Sequence, residues 1–412
     1  MWTRPAAEIQ KAIHNTFGVA GLVLDFLKCS EDPAPCVVVR FRSSFPSDRL
    51  MIAPLDEVAA AELSPSDRNI IKAICADDAG SRGSFSRFSW IDEAMSWMRE
   101  IVGQGVEFTE EIEQLNAGGT FALLRFATRN GPAYWLKATG APNRHEFAIT
   151  TILAATCPEC LPPLIGVRHD WNAWVMEEAG DALDQQASVS TLKSAATSMA
   201  TLQKKTIQHT DKLLAAGATD QRTSVLRGHI AELISYLKEA MEHQTSTKVP
   251  PLEVSRLEEI GITLLDAYDA MGQLGIPETL MHNDLNHGNI LVHNDACVFT
   301  DCCEILVGNP FVTAQRLLML FSSDGGQPEV NRSIILGTYK QCWLDVLAPW
   351  QIEKAVALMP LLTVVSYLYG RGDWLHSDER RQNLMTQSYA RSLARHMDRE
   401  ARNPLLVEAL CH

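Results

Sequence analysis

Residues 282–292 read HNDLNHGNILV, and VFTDCCE follows at 298–304. Two histidines, an aspartate and three asparagines are crowded together immediately before an apolar run. The runs ILVH and CVFTD on either side have the length and residue types of short strands. The stretch therefore predicts a polar loop entering a hairpin, set inside a half of the chain that is otherwise helical in pattern. Three readings of the loop are open: a polar turn, a metal site, or a phosphoryl-transfer loop. A zinc trio of His282, Asp284 and His287 is disfavoured, because the histidines are not one helical turn apart on a helix.

The chain around the loop narrows the choice. Its 412 residues suffice for two or three domains, and hydrophobic residues at 46% with charged residues at 21% describe an ordinary globular chain. A net charge of −14 disfavours nonspecific contact with nucleic acid or an anionic membrane. Ten cysteines are scattered without a disulfide framework. Cys157-Pro-Glu-Cys160 has no second CxxC to complete a zinc site, so reduced thiols and a cytoplasmic location are expected. The opening MWTRPAAEIQKAIHN lacks a secretory pattern. The apolar run at 355–369 contains Pro360 and is shorter than a spanning helix needs, which predicts a core helix.

Residues 1–105 are expected to form an α/β module, with strand-like runs at 18–28 and 36–42 and a helix over IDEAMSWMREIVG. They carry no catalytic constellation, and Trp90 and Trp97 fit a core or an interface. Covering the edge of a neighbouring sheet, a homodimer contact and enclosure of an acceptor are the roles open to them. From 106 to 180, TEEIEQL, ALLRFAT, AYWLKAT, PLIGVR and AWVMEEA predict a small antiparallel sheet. A helix is expected over 143–156, with Asn143 as N-cap. From 181 to 412 the segments 188–217, 222–243, 252–274, 331–346, 350–369 and 378–399 carry helical spacing.

The spacing His282-x-Asp284-x4-Asn289, with Asp301 twelve residues further on, resembles the H-G-D-x-x-x-x-N loop and metal aspartate of the aminoglycoside phosphotransferase-like enzymes. The resemblance covers about 108–320. It implies an α+β, bilobal protein-kinase-like fold, with residues 1–105 as an extra module. Lys137 on the third strand and Glu146 on the following helix stand in the order of that fold's ion pair. GNPF at 308–311 resembles the family's glycine-x-proline turn. Asn286 and Cys302 depart from the family's usual histidine and tryptophan.

The resemblance implies an ATP (or GTP) and Mg²⁺-dependent transfer of a γ-phosphoryl group to a hydroxyl of a small molecule. The acceptor class spans aminoglycoside-like, amino-alcohol and sugar compounds, and fold does not settle it. Asp284 would orient or deprotonate the hydroxyl, His282 would shape the loop, and Asn289 and Asp301 would supply hard oxygens to the metal. Lys137 would meet the phosphates, with Glu146 holding it. The turn at Gly118, Gly119 and Thr120 would cover the phosphates. Met176, Glu177 and Glu178 would border the adenine. The polar break GRGDWLHSDER at 370–380 reads first as a solvated loop, and a substrate role there is the alternative that the resemblance implies. A nucleotide-binding pseudo-kinase is the alternative, and the presence of the lysine and both aspartates disfavours it. A protein kinase is disfavoured by the missing G-x-G-x-x-G and A-P-E motifs.

Overall fold

The computed structural model describes residues 5–27, 36–41, 53–59, 63–78, 80, 82–184, 187–321, 328–369 and 381–411. The chain forms two compact units: Met1–Phe147 with Pro162–Glu178, and Ala148–Leu161 with Ala179–His412.

In the first unit, α1 (Pro5–Phe17), β1 (Gly21–Leu27), β2 (Cys36–Phe41), α2 (Pro65–Cys75) and α3 (Trp90–Val102) precede the sheet. That sheet has five strands, β3 (Phe108–Gly118), β4 (Phe121–Thr128), β5 (Tyr134–Ala138), β6 (Leu164–Arg168) and β7 (Ala173–Glu177). They lie in the antiparallel order β3-β4-β5-β7-β6. The five expected strands are all present. β3 continues through Asn116 and Ala117, because a bulge between Gln114 and Asn116 restores its register with β4. The β4–β5 connection runs over residues 129–133, where Pro132 has no N–H to give to a ladder.

Among the described residues, the first 105 keep no core of their own. Leu22, Leu24, Ile74, Phe85, Trp90 and Met98 share one apolar cluster with Ile112, Leu124, Phe126, Leu136 and Val175 of the sheet. Phe85 meets Trp90 and Trp171 edge-to-face, with centroids 5.2 and 5.3 Å apart. β1 and β2 form a separate antiparallel pair and do not extend the ladder past β3. Two glutamine side chains make the join instead. The fully buried Gln114 accepts from Val23 N–H at 2.8 Å and donates to the Val23 carbonyl at 2.9 Å. Gln10 of α1 accepts from Gln114 N–H at 2.8 Å and donates to the carbonyls of Gly21 and Ile112. Each amide does the work of a strand residue, so the edge of β3 is satisfied where the bulges break a regular ladder.

The helix α4 (His145–Thr156) starts two residues later than expected. Asn143 takes part through its carbonyl, which accepts from Glu146 N–H at 3.1 Å.

The second unit is mainly helical: α5 (Val189–Thr206), α6 (Thr210–Ala215), α7 (Thr223–Gly228), α8 (Ile230–Glu242), α9 (Val254–Gln273), α10 (Pro310–Leu320), α11 (Pro328–Trp343), α12 (Pro349–Tyr369), α13 (Leu384–Glu400) and α14 (Pro404–Cys411). Most share one apolar core. Short strands lie among them: β8 (Asp181–Ala182), β9 (Thr219–Gln221), β10 (Thr279–His282), β11 (Ile290–His293), β12 (Ala296–Phe299) and β13 (Ile305–Gly308). They form two sheets, ordered β10-β13-β9 and β12-β11-β8. Pro360 sits inside α12. Residues 349–368 of α12 are long and apolar enough to cross a membrane, and more than half of the apolar stretch is buried in the fold. The burial of Leu358, Leu361, Leu362 and Val365 marks it as the core helix expected from its sequence.

Gln114→Leu keeps the volume of the side chain but strands the buried N–H and C=O of Val23. At about 1–3 kcal/mol per orphaned group, the expected loss is about 2–6 kcal/mol in urea unfolding. An unchanged midpoint would mean that the two glutamines do not hold the hairpin to the sheet.

Candidate active site

The polar loop belongs to the second unit. β10 ends at His282 and β11 begins at Ile290, so the loop is held at both ends by paired strands. His282 is buried, and its amide donates to Thr313 Oγ1 at 3.3 Å. Its Nε2 lies 3.0 Å from the Thr300 carbonyl, which can only accept, so Nε2 carries the proton. Nδ1 is buried without a hydrogen-bond partner among the described residues. Burial holds the pKa of His282 below its ordinary value, against the opposing pull of the Thr300 carbonyl and of Asp301 and Asp284. The ring is a neutral strut between the loop and the turn that carries Asp301.

Asp284 has both carboxylate oxygens engaged. Asn286 Nδ2 donates to Oδ1 at 3.2 Å and Asn289 Nδ2 donates to Oδ2 at 3.1 Å. Asn289 Nδ2 also reaches the Asp284 carbonyl at 2.7 Å. These bonds occupy the amide nitrogen of Asn289 and leave its oxygen out of the Asp284 contact. Asn286 also accepts from Gly288 N–H at 2.9 Å, closing the loop as an Asx turn. Asp301 follows β12 with φ 61°, the left-handed region, where aspartate is among the few residues tolerated. Its carboxylate does not cap the turn that follows.

Three residues without a role in the sequence analysis, Asn283, Glu304 and Arg316, support the loop. Asn283 donates to the Glu304 carboxylate at 2.5 Å, and its amide meets the Glu304 carbonyl at 3.0 Å. Arg316 of α10 is 4% exposed and donates to the Asn283 carbonyl at 2.6 Å and to Ser366 Oγ at 3.1 Å. Its guanidinium also lies 4.2 Å from the Tyr367 ring. The available signal was an arginine with Val312 and Leu320 four residues to either side, a position inside an apolar stripe. Gly308, the first residue of GNPF, pairs with Gln221 of β9, and a Cβ there would lie 2.5 Å from the Gln221 carbonyl oxygen.

In the first unit, Lys137 of β5 and Glu146 in the first turn of α4 form an ion pair at 2.6 Å, with side chains 10% and 1% exposed. The Lys137 ammonium also lies 5.8 Å from the Trp174 ring. Removing both charges from water is costly, and well-packed apolar residues of the same size often stabilise such a position as well. A buried pair kept at this cost is a functional-site candidate. Gly118 closes β3 opposite Phe121, leaving Gly119 and Thr120 as a two-residue turn. Met176 is buried beside Phe147 and Trp174. The amides of Glu177 and Glu178 donate to the carbonyls of Pro163 and Ala133, both at 2.9 Å. The Glu178 carboxylate is gripped by Arg125 at 2.6 and 3.0 Å, which holds its carboxyl below the usual range.

The donor atoms of Cys157, Glu159 and Cys160 lie within 4.8 Å of one another, and Glu159 is paired with Lys205. Cys75, Cys157, Cys160, Cys297, Cys302, Cys303, Cys342 and Cys411 are free thiols. The segment 370–380, with Arg371, Asp373, Trp374 and His376, lies outside the described residues.

No protein-family model and no curated protein sequence matches the chain. Solved structures do. A choline/ethanolamine kinase family protein from Mesorhizobium loti is 14% identical with a TM-score of 0.49, over 78% of this chain and 98% of that one. Choline kinase from Cryptosporidium parvum is 15% identical with a TM-score of 0.49, over 75% and 95%. Macrolide 2'-phosphotransferase from Brachybacterium faecium is 15% identical with a TM-score of 0.45, over 70% and 96%.

A histidine that is neutral when folded but titrates near 6.5 when unfolded takes up a proton only on unfolding once the pH falls below that value. Stability is then lost as pH falls, by up to about 1.4 kcal/mol per unit for this one group. His282→Gln keeps an N–H for the Thr300 carbonyl and removes the titration. The wild type should lose more stability than His282→Gln between pH 6.5 and 5.5 in paired urea titrations. Parallel slopes would show that His282 is charged in the fold.

Proposed function

We propose that the chain transfers the γ-phosphoryl group of ATP or GTP to a hydroxyl of a small molecule. The observation that carries this reading is the carboxylate of Asp284, whose two oxygens each accept from an asparagine amide of one strand-anchored loop. Such a carboxylate is held in one orientation, as a group that must aim an incoming hydroxyl has to be. Asp284 would accept the hydroxyl proton or fix its direction, while Asn286 and Asn289 keep the carboxylate from turning. His282, neutral and buried, would brace the loop without adding charge to it.

The donor set suits a hard divalent cation. The amide oxygen of Asn289 and the carboxylate of Asp301 are oxygen ligands of the kind Mg²⁺ takes. When bound, Mg²⁺ would neutralise phosphate charge. Lys137, fixed by Glu146, would supply a point charge to the phosphates, and the turn at Gly118, Gly119 and Thr120 would cover them. Residues Met176 to Glu178 would border the base, with the amides of Glu177 and Glu178 already spent inside their own unit. On this reading residues 1–105 buttress the nucleotide lobe, 106–180 form that lobe, and 181–412 carry the catalytic loop and the acceptor site. Free cysteines favour a cytoplasmic setting.

Two substitutions test the assignment. Asp284→Asn keeps the size of the side chain and removes the carboxylate. Turnover on an acceptor found by screening hydroxyl compounds should fall by about 10²–10⁴-fold, with nucleotide affinity within a few-fold of wild type. Near-wild-type turnover would remove Asp284 from the chemistry.

Asp301→Asn is preferred to alanine, because asparagine also accepts a left-handed backbone. Wild-type protein should bind ATP or GTP more tightly with Mg²⁺ than without it, by calorimetry, and the variant should lose most of that difference. An undiminished Mg²⁺ effect would place the cation on other residues.

A further inference from the structure

We infer that the segment Arg82–Ser86, ahead of the sheet in sequence, is a fixed brace for the β3–β4 turn, and that Asp25 is the residue that positions it. The inference rests on the proposed nucleotide role of that turn, and it concerns how the turn is held ready.

The contact is backbone against backbone. Phe85 N–H donates to the Gly119 carbonyl at 3.0 Å. A Cβ on Gly119 would overlap the Arg82 carbonyl oxygen, and a Cβ on Gly83 would overlap the Gly119 carbonyl oxygen. Gly83 also has φ 105°, which a larger residue rarely adopts. Two glycines thus allow two loops to touch without side chains between them. Gly118 differs, since nothing lies within 4 Å of a Cβ built there. On the other side of the turn, a Cβ on Gly140 would overlap the Thr120 hydroxyl. The turn is pinned at Gly119 by the brace and at Thr120 by the loop after β5.

The brace is itself anchored. Phe85 is 2% exposed within the aromatic cluster with Trp90 and Trp171. Asp25 of β1 is 8% exposed, accepts from Ser86 Oγ at 3.2 Å and pairs with the Arg82 guanidinium. One buried carboxylate therefore ties both ends of the segment that grips the turn. A covering turn that is set in advance loses no ordering entropy when a nucleotide arrives, so loosening it weakens binding more than chemistry.

Hydrogen–deuterium exchange of residues 116–122 in the nucleotide-free full chain tests this without any variant. The turn should be protected before nucleotide is added and should gain little protection with Mg·ATP. Free exchange that becomes protected only with nucleotide would overturn the inference. Asp25→Ala should raise the KM for nucleotide by roughly tenfold, the scale of one lost preorganised contact, with kcat within about threefold. It should also speed exchange at 116–122 while 134–138 stays protected, which shows that the sheet remains folded. Asp25→Asn retains an acceptor oxygen and should recover part of the KM. Equal KM and exchange in wild type and Asp25→Ala would exclude Asp25 as the positioning residue. Failure of the wild type to bind nucleotide would defeat the phosphotransfer reading, while exchange at 116–122 would still decide whether the brace exists.

Discussion

A loop whose base is buried must find a partner for each amide and carbonyl it takes out of water, and in residues 282–289 asparagine side chains serve two of these groups, the Asp284 carbonyl and the Gly288 amide. Asn286 and Asn289 serve the loop's own backbone and carboxylate, while Asn283 reaches to Glu304. His282 ties the loop to Thr300, and Arg316 takes the carbonyl of Asn283. The polar crowding that stood out in the sequence is therefore first a solution to backbone desolvation. The orientation of Asp284 follows from that solution. Fixing the loop and aiming the carboxylate are one set of hydrogen bonds.

Local pattern made the strands legible, and the resemblance picked out the pair Lys137–Glu146. β5 is short, apolar and ends near a lysine, and Glu146 lies within one helical turn of the start of α4. The neighbourhoods were not legible, because they depend on contacts distant in sequence. Arg316 reads in sequence as one more helix charge, yet it is buried against a loop more than thirty residues earlier. Gln114 has the same composition signal as any polar strand residue, and only its partner Val23, 91 residues away, shows its use. β8 and β9 are too short for periodicity to register and exist through pairing with β11 and β13.

Gly118 and Gly119 show the same limit on a smaller scale. Sequence presents them as equivalent members of a flexible turn. One faces open space and the other faces a carbonyl oxygen, so only Gly119 is required by packing. A glycine-rich turn need not be a mobile one. Here one of the glycines is what permits a close, rigid contact.

The seam made by Gln10 and Gln114 has a consequence for how the first unit fails. A regular sixth strand would come away only with a row of ladder bonds, whereas this hairpin is tied to β3 largely through two amides and an apolar face. Such a seam is suited to be the first part of the unit to give way as it unfolds. Behind it lies the outer edge of β3, with backbone groups then seeking partners. In mild denaturant, a partly opened molecule would offer that edge to another copy, and self-association would begin there.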